Sequence, residues 1–211
     1  MTLPPIYPIL DAATLDRCGI SLPAAAEALL AGGARILQIR QKGHWSRAFF
    51  DSARETARLA RDAGAQLIVN DRADFALLLD AGLHLGQDDL PPADARRVAG
   101  PSRIIGYSSH NPEQLAAADS EPVDYIALGP VFSTTSKQNP DPVVGIDAVR
   151  RLRALTAKPL VAIGGITLEN AADVLRAGAD SLALIAALFP PGTTPAPLRA
   201  RMEEWGRVCY L

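Results

Sequence analysis

Short apolar runs alternate along the chain with longer stretches in which Ala, Leu and Arg recur at helical spacing. Strand candidates begin near Ile6, Ile36, Gln66, Leu83, Ile104, Tyr125, Leu160 and Ser181. Helical patterns lie between them, among them Leu22–Ala31, Arg47–Ala63, Pro112–Ala118, Asp147–Leu155 and Leu168–Ala177. Strands and helices in strict alternation predict an α/β protein with a parallel sheet closed as a (β/α)8 TIM barrel. An open doubly wound sheet is the alternative, and no GxGxxG after the first strand speaks for it. The punctuation agrees with helices. Ser21 before Pro23 reads as a cap followed by an early helical proline. Ala31-Gly32-Gly33-Ala34, Asp62-Ala63-Gly64-Ala65 and Arg176-Ala177-Gly178-Ala179 are near repeats that read as recurrent helix-to-strand turns. Pro190–Pro197 reads as a rigid loop before a last helix near Leu198–Val208.

Composition narrows the class. A chain of 211 residues, 48% hydrophobic, has ample core for one barrel domain over residues 1–211. A net charge of −2 offers no basic footprint for nucleic acid, and 5% aromatics are too few for base-stacking platforms. No apolar stretch approaches a membrane span. The start, Met1-Thr2-Leu3-Pro4-Pro5, lacks the charged region of a signal peptide. Cys18 and Cys209 form no CxxC or zinc pattern and fit a reducing cytoplasm, although a bridge between them stays open. Oligomeric state, a homo-oligomer included, is also left open.

The candidate chemistry sits at the C-terminal ends of the strands, which in such a barrel share one mouth. Gln38, Arg40 and Lys42 are spaced by two and share a face if the strand stays extended, with Leu37 and Ile39 facing the helices. Polar groups on an inward face are costly unless they bind something. Asn70-Asp71 and Gln87-Asp88-Asp89 follow two successive strands. Carboxylates so placed suit a hard divalent cation, with either Asp88 or Asp89 as the second ligand, and one of these acids is expected to cap the helix that follows. A bare polyphosphate would be repelled by both carboxylates, whereas a bound cation bridges the two sets of anions. The hydroxyl-rich segment Gly129–Lys137 can donate to an anion and close over it. Ala162-Ile163-Gly164-Gly165-Ile166-Thr167 and Leu184-Ile185-Ala186 occupy the two positions where these barrels bind phosphate. His84 and His44 read as structural, and His110 lies at the end of the fifth strand.

Six segments, in order, resemble the thiamine-phosphate synthase family: Leu37–Lys42, Val69–Arg72, Leu83–Asp89, Gly106–Asn111, Asp124–Phe132 and Ala162–Ile166. The resemblance implies a (β/α)8 barrel transferase that joins hydroxymethylpyrimidine pyrophosphate to a thiazole phosphate with the help of Mg²⁺. It implies that Arg40, Lys42, Asn70 and Lys137 hold the pyrophosphate and that Gln38 and Ser108 meet the pyrimidine. Asp71 and Asp89 would hold Mg²⁺, and Asp88 would be left as a cap or outer acid. Thr134 and Ser136 match hydroxyls on the thiazole side, and Gly165, Ile185 and Ala186 match the thiazole phosphate site. Three departures stand out. Ser136 stands where the family often has Thr, Ala186 where it often has Ser, and the turn at Ala81–His84 is one residue short. The rival is the thiazole tautomerase paralogue, for which His110 would be the acid–base group and the acidic pair would have no use. A non-catalytic thiamine-phosphate binding protein would equally lack a need for that pair.

Overall fold

The structure is a computed structural model describing residues 1–134 and 141–209. Eight parallel strands close a barrel in sequence order: β1 (Ile6–Asp11), β2 (Ile36–Arg40), β3 (Gln66–Asn70), β4 (Gly82–Leu85), β5 (Ile105–Ser109), β6 (Tyr125–Leu128), β7 (Leu160–Ile163) and β8 (Ser181–Leu184). The pairing of Ile6 with Leu182 and of Pro8 with Leu184 joins the last strand to the first. Around them run α1 (Ala12–Cys18), α2 (Leu22–Ala31), α3 (Arg47–Asp62), α4 (Ala73–Leu78), α5 (Pro92–Ala99), α6 (Pro112–Ser120), α7 (Ile146–Arg153), α8 (Leu168–Arg176) and α9 (Pro195–Cys209).

The alternation within strands builds two separate cores. Leu37 and Ile39 join the large cluster between sheet and helices. Ile36 instead joins Tyr7, Ile9, Ile68, Tyr125, Ala127, Val161 and Ala183 inside the barrel. Parallel strands buried on both faces give the near-continuous apolar runs seen in the sequence. Gly106 makes room within this interior, because a Cβ there would lie 2.0 Å from the Tyr125 ring.

The helix-ending turns are one motif used repeatedly. Ala34, Ala65 and Ala179 donate back five residues to Leu29, Ala60 and Val174, at 3.0, 2.8 and 3.3 Å. Ala81 repeats the bond to Ala76 at 2.9 Å, with Asp80 at φ +52 in the place a glycine takes elsewhere. Ser21 caps α2 as expected, accepting from Ala24 N. The last helix starts three residues before the expected Leu198, because Pro195 and Pro197 fall in its first turn, where a missing N–H costs nothing. The short helices α1, α4 and α5 span too few turns for a hydrophobic period to announce them.

The N-terminal end of the barrel is stapled shut. Asp124 accepts from Arg96 and from Ile105 N, both at 2.7 Å. Asp180 does the same for Arg153 and Leu160 N, at 2.8 and 2.7 Å. Arg96 also donates to the carbonyls of Pro122 and Gly100.

Candidate active site

The opposite end opens into a cavity of about 820 Å³. Inward-facing side chains from β1 to β6 line its floor, and backbone after β7 and β8 lines the far wall. Gln38, Arg40 and Lys42 all reach it, as their spacing requires. Each has a different anchor. Gln38 is buried and donates through Nε2 to the Tyr7 hydroxyl at 3.0 Å. Arg40 pairs with Asp11. Lys42 pairs with Asp71 at 2.6 Å. Asp11 was not legible as a site residue. Its other oxygen caps α1 by accepting from Thr14 N at 3.1 Å, so one carboxylate ends a strand, starts a helix and orients a guanidinium.

Asp71 sits in a strained three-residue turn. Its φ is +66, and Arg72 N bonds across it to Asn70 O at 2.8 Å. Such a positive-φ turn on a residue with a side chain costs about 1–3 kcal/mol and is characteristic of functional positions. The strain is held in place from outside. Trp45 stacks on Phe75 with centroids 4.4 Å apart, and Arg72 lies over the same Phe75 ring at 4.1 Å. This clasp ties the loop that carries Lys42 to the turn that carries Asp71.

Burial and the neighbouring Asp89 carboxylate raise the Asp71 pKa, and Lys42 only partly opposes them. Two carboxylates in contact are unfavourable unless a proton or a cation lies between them. Asp89 Oδ2 also accepts from Gly86 N at 2.6 Å, which fixes its orientation. Neither acid caps the following helix, contrary to expectation: α4 starts after Arg72 and α5 after Pro91, both without a side-chain cap. Of the two roles open to Asp88, cap or outer acid, the cap is not observed, and Asp88 lines the cavity. Among the described residues no three His, Cys, Asp or Glu side chains cluster to hold a metal by themselves. The donor set is therefore two hard carboxylates, which fits an ion completed by ligand phosphates and water. Beside them Asn70 is buried, and among the described residues its Nδ2 has no hydrogen-bond partner. An orphaned donor lining a cavity is a place for an acceptor on a ligand.

A polar chain crosses the cavity floor. The Tyr7 and Tyr125 hydroxyls meet at 2.9 Å, Tyr125 reaches His84 Nδ1 at 2.9 Å, and His84 Nε2 reaches Ser108 Oγ at 3.0 Å. Burial raises both phenol pKa values and lowers that of His84 to about 4, so the chain is neutral near pH 7. His84 thus has the hydrogen-bonded role expected of it, whereas His44 is merely exposed. His110 Nδ1 contacts Gly129 O at 2.6 Å.

On the far wall Gly164 and Gly165 turn with φ +101 and +64. A Cβ on Gly165 would lie 2.5 Å from Ser133 O. Asn170 braces this turn, accepting from Thr167 N at 2.8 Å and donating to Gly165 O at 3.2 Å. After β8 the chain makes one helical turn, with Leu188 N and Phe189 N bonding back to Ile185 O at 3.0 and 3.2 Å. The first N–H groups of such a turn have no partner within it. Ile185 and Ala186 line the cavity there, as does Thr134 from the β6 side. Ser136, Lys137 and the part of the hydroxyl-rich segment beyond Thr134 lie outside the described residues. Tyr7, Tyr125 and Asn170 were missed, because a tyrosine in an apolar strand and an asparagine in a helix carry no signal of their own.

Fold and site together define a (β/α)8-barrel enzyme whose mouth is lined by acidic and basic side chains. Residues 6–188 match the family described as thiamine monophosphate synthase. A thiamine-phosphate synthase of Koribacter versatilis is 50% identical over 192 residues, 90% of either chain. One of Chloroflexus aurantiacus is 43% identical, covering 92% of this chain and 89% of its own. The solved thiamine phosphate pyrophosphorylase of Pyrococcus furiosus superposes with a TM-score of 0.83 at 33% identity, covering 97% and 95% of the two chains. The chain belongs to the thiamine-phosphate synthase family, transferases of thiamine biosynthesis.

Proposed function

We propose that the chain condenses 4-amino-2-methyl-5-hydroxymethylpyrimidine pyrophosphate with 4-methyl-5-(2-hydroxyethyl)thiazole phosphate, giving thiamine phosphate and pyrophosphate, or with its 2-carboxy form, giving the same products and carbon dioxide. The observation that carries this is the Asp71–Asp89 contact beside Lys42, Arg40 and the orphaned Asn70 amide, across the cavity from the Gly164-Gly165 turn. One wall suits a diphosphate with its cation, and the other suits a monophosphate.

In this reading Asp71 and Asp89 hold Mg²⁺, and Arg40, Lys42, Asn70 and Lys137 hold the pyrophosphate. Bound Mg²⁺ supplies Lewis-acid neutralisation of the leaving group. Arg40 and Lys42 add fixed positive charge where negative charge grows as the carbon–oxygen bond breaks. Gln38 and Ser108 hold the aminopyrimidine, whose electron-rich ring stabilises the cation left on its methylene carbon. The thiazole nitrogen attacks that carbon. It carries no proton, so no general base is required. Thr134 and Ser136 orient the thiazole. Gly165 and the backbone at Ile185 and Ala186 receive its phosphate, and the exposed Ala186 contributes no side-chain donor. The acidic pair has no part in a thiazole tautomerase.

The test is pyrophosphate release by purified protein given both substrates and Mg²⁺. Thiamine phosphate and pyrophosphate are expected in equal amounts. Binding of both substrates with Mg²⁺ but no release of pyrophosphate overturns the reading.

A further inference from the structure

The chain Gln38–Tyr7–Tyr125–His84–Ser108 joins five different strands across the barrel floor. Every link is a hydrogen bond between groups that can donate or accept, except at its first member. An amide nitrogen can only donate. Two proton orderings leave neither buried phenol proton without an acceptor. In one, Gln38 donates to Tyr7, Tyr7 to Tyr125, Tyr125 to His84 Nδ1, and His84 Nε2–H to Ser108. In the other, every proton runs the opposite way, starting from Ser108 and ending on the Gln38 carbonyl oxygen. Gln38 presents Nε2 to Tyr7 at 3.0 Å, which selects the first ordering.

We infer that this buried chain fixes the polarity with which the pocket reads its ligand. His84, Tyr125 and Tyr7 are positioning residues, and Gln38 and Ser108 are the two ends that face the cavity. Because Ser108 Oγ accepts from His84, its own proton is free to be donated. Because Gln38 meets Tyr7 through an N–H of its amide, its carbonyl oxygen is free to accept. The pocket floor therefore presents a donor on the β5 side and an acceptor on the β2 side. A ring that offers a lone-pair nitrogen and an amino group matches both. An oxo analogue, with a ring N–H and a carbonyl, presents the reverse pattern to both. Tyr7, Tyr125 and His84 are buried in a low-dielectric interior, where a mismatched polar group has no water to satisfy it. Gly106 belongs to the same device, since any side chain there would displace Tyr125.

This inference rests on the synthase reading for the identity of the ring, but the proton ordering does not. Nitrogen-15 spectra of histidine-labelled full-length protein, with His44→Gln and His110→Gln used for assignment, report the His84 tautomer without any turnover. A neutral His84 with its proton on Nε2 is expected. A proton on Nδ1, or an imidazolium at pH 7, overturns the ordering even if pyrophosphate release proceeds. Conversely, the expected tautomer in a protein that releases no pyrophosphate leaves the ordering standing and removes the synthase reading.

Steady-state kinetics supply the second arm. Tyr125→Phe, which keeps the ring and breaks the chain, should raise KM for the pyrimidine pyrophosphate about tenfold, the worth of one buried hydrogen bond. KM for the thiazole phosphate should stay within about twofold, because its wall does not touch the chain. Wild type should prefer the amino over the oxo substrate by at least about 100-fold in kcat/KM, and Tyr125→Phe should lose most of that preference. An equal rise in both KM values, or an unchanged amino-to-oxo preference, would show that Tyr125 only supports the fold.

Discussion

Arg40 and Arg96 lie at opposite ends of the same barrel, and their side chains are equally exposed, at 19% each. Both are paired with an aspartate. What separates them is what the remaining donors do. Arg96 spends them on the carbonyls of Pro122, Gly100 and Arg103, and its partner Asp124 also takes Ile105 N. Nothing is left for a ligand, and that end of the barrel is closed. Arg40 is held, among the described residues, by Asp11 alone, and its other donors border the cavity. The same contrast holds between Asp180, whose Oδ2 is shared by Arg153 and Leu160 N, and Asp71, pressed against another carboxylate. Exposure and charge do not distinguish a structural ion pair from a functional one; the unspent hydrogen-bonding capacity does.

The largest effect should come from Asp71. Asp71→Asn keeps a side chain that tolerates the positive φ, so the fold should persist while kcat falls about 1000-fold, in the range for losing one electrostatic contributor. Thiazole-phosphate affinity, measured by calorimetry, should hardly change. Equal loss of turnover and thiazole-phosphate binding would make Asp71 as structural as Asp180 and erase the contrast. Next comes Gly165→Ala, which meets Ser133 O and an unfavourable backbone angle together. It should weaken thiazole-phosphate binding by about 100-fold and cost about 1–3 kcal/mol of stability. Normal binding in this variant would mean that the turn does not touch the phosphate.

Asp180→Ala probes the closed end. It leaves Leu160 N and Arg153 without their shared acceptor, so a loss of about 1–2 kcal/mol in urea unfolding is expected, with kcat/KM unchanged in the folded protein. A change in kcat/KM larger than the change in folded fraction would show that the staple acts on the site.

The smallest effect is a pH slope. Burial holds the His84 pKa near 4, below its ordinary 6.5. Between those values the unfolded chain binds more protons, so stability conferred by neutral His84 is complete above pH 6.5 and is lost as pH falls toward 4. The slope from this residue is at most about 1.4 kcal/mol per pH unit, and His84→Asn should remove it from metal-free unfolding curves. An unchanged slope would place the acid sensitivity elsewhere.

Much of the fold was legible because barrel strands are apolar on both faces and their helices end in a repeated Gly-Ala turn. The spacing of Gln38, Arg40 and Lys42 put them on one face, and the cavity contains all three. The reading that an acid caps the next helix failed for a local reason. The sharp turn at Asp71 carries the chain to Arg72 before α4 begins, and Asp89 spends its oxygen on Gly86 N. Asp11 does cap its helix, and it holds Arg40 as well. A capping aspartate and a site aspartate look identical in sequence.

The sequence by itself determined the order of strands and helices, the end of the barrel at which acids and bases gather, and the family. Each of these depends on local periodicity and on short motifs, which need no knowledge of what lies across the barrel. Tertiary structure alone decided which polar groups remain unspent. The Asp71–Asp89 contact, the orphaned Asn70 amide and the chain from Gln38 to Ser108 all depend on how different strands are brought together. Whether a carboxylate is neutralised or a tyrosine is oriented depends on neighbours that only the closed barrel brings within 3 Å.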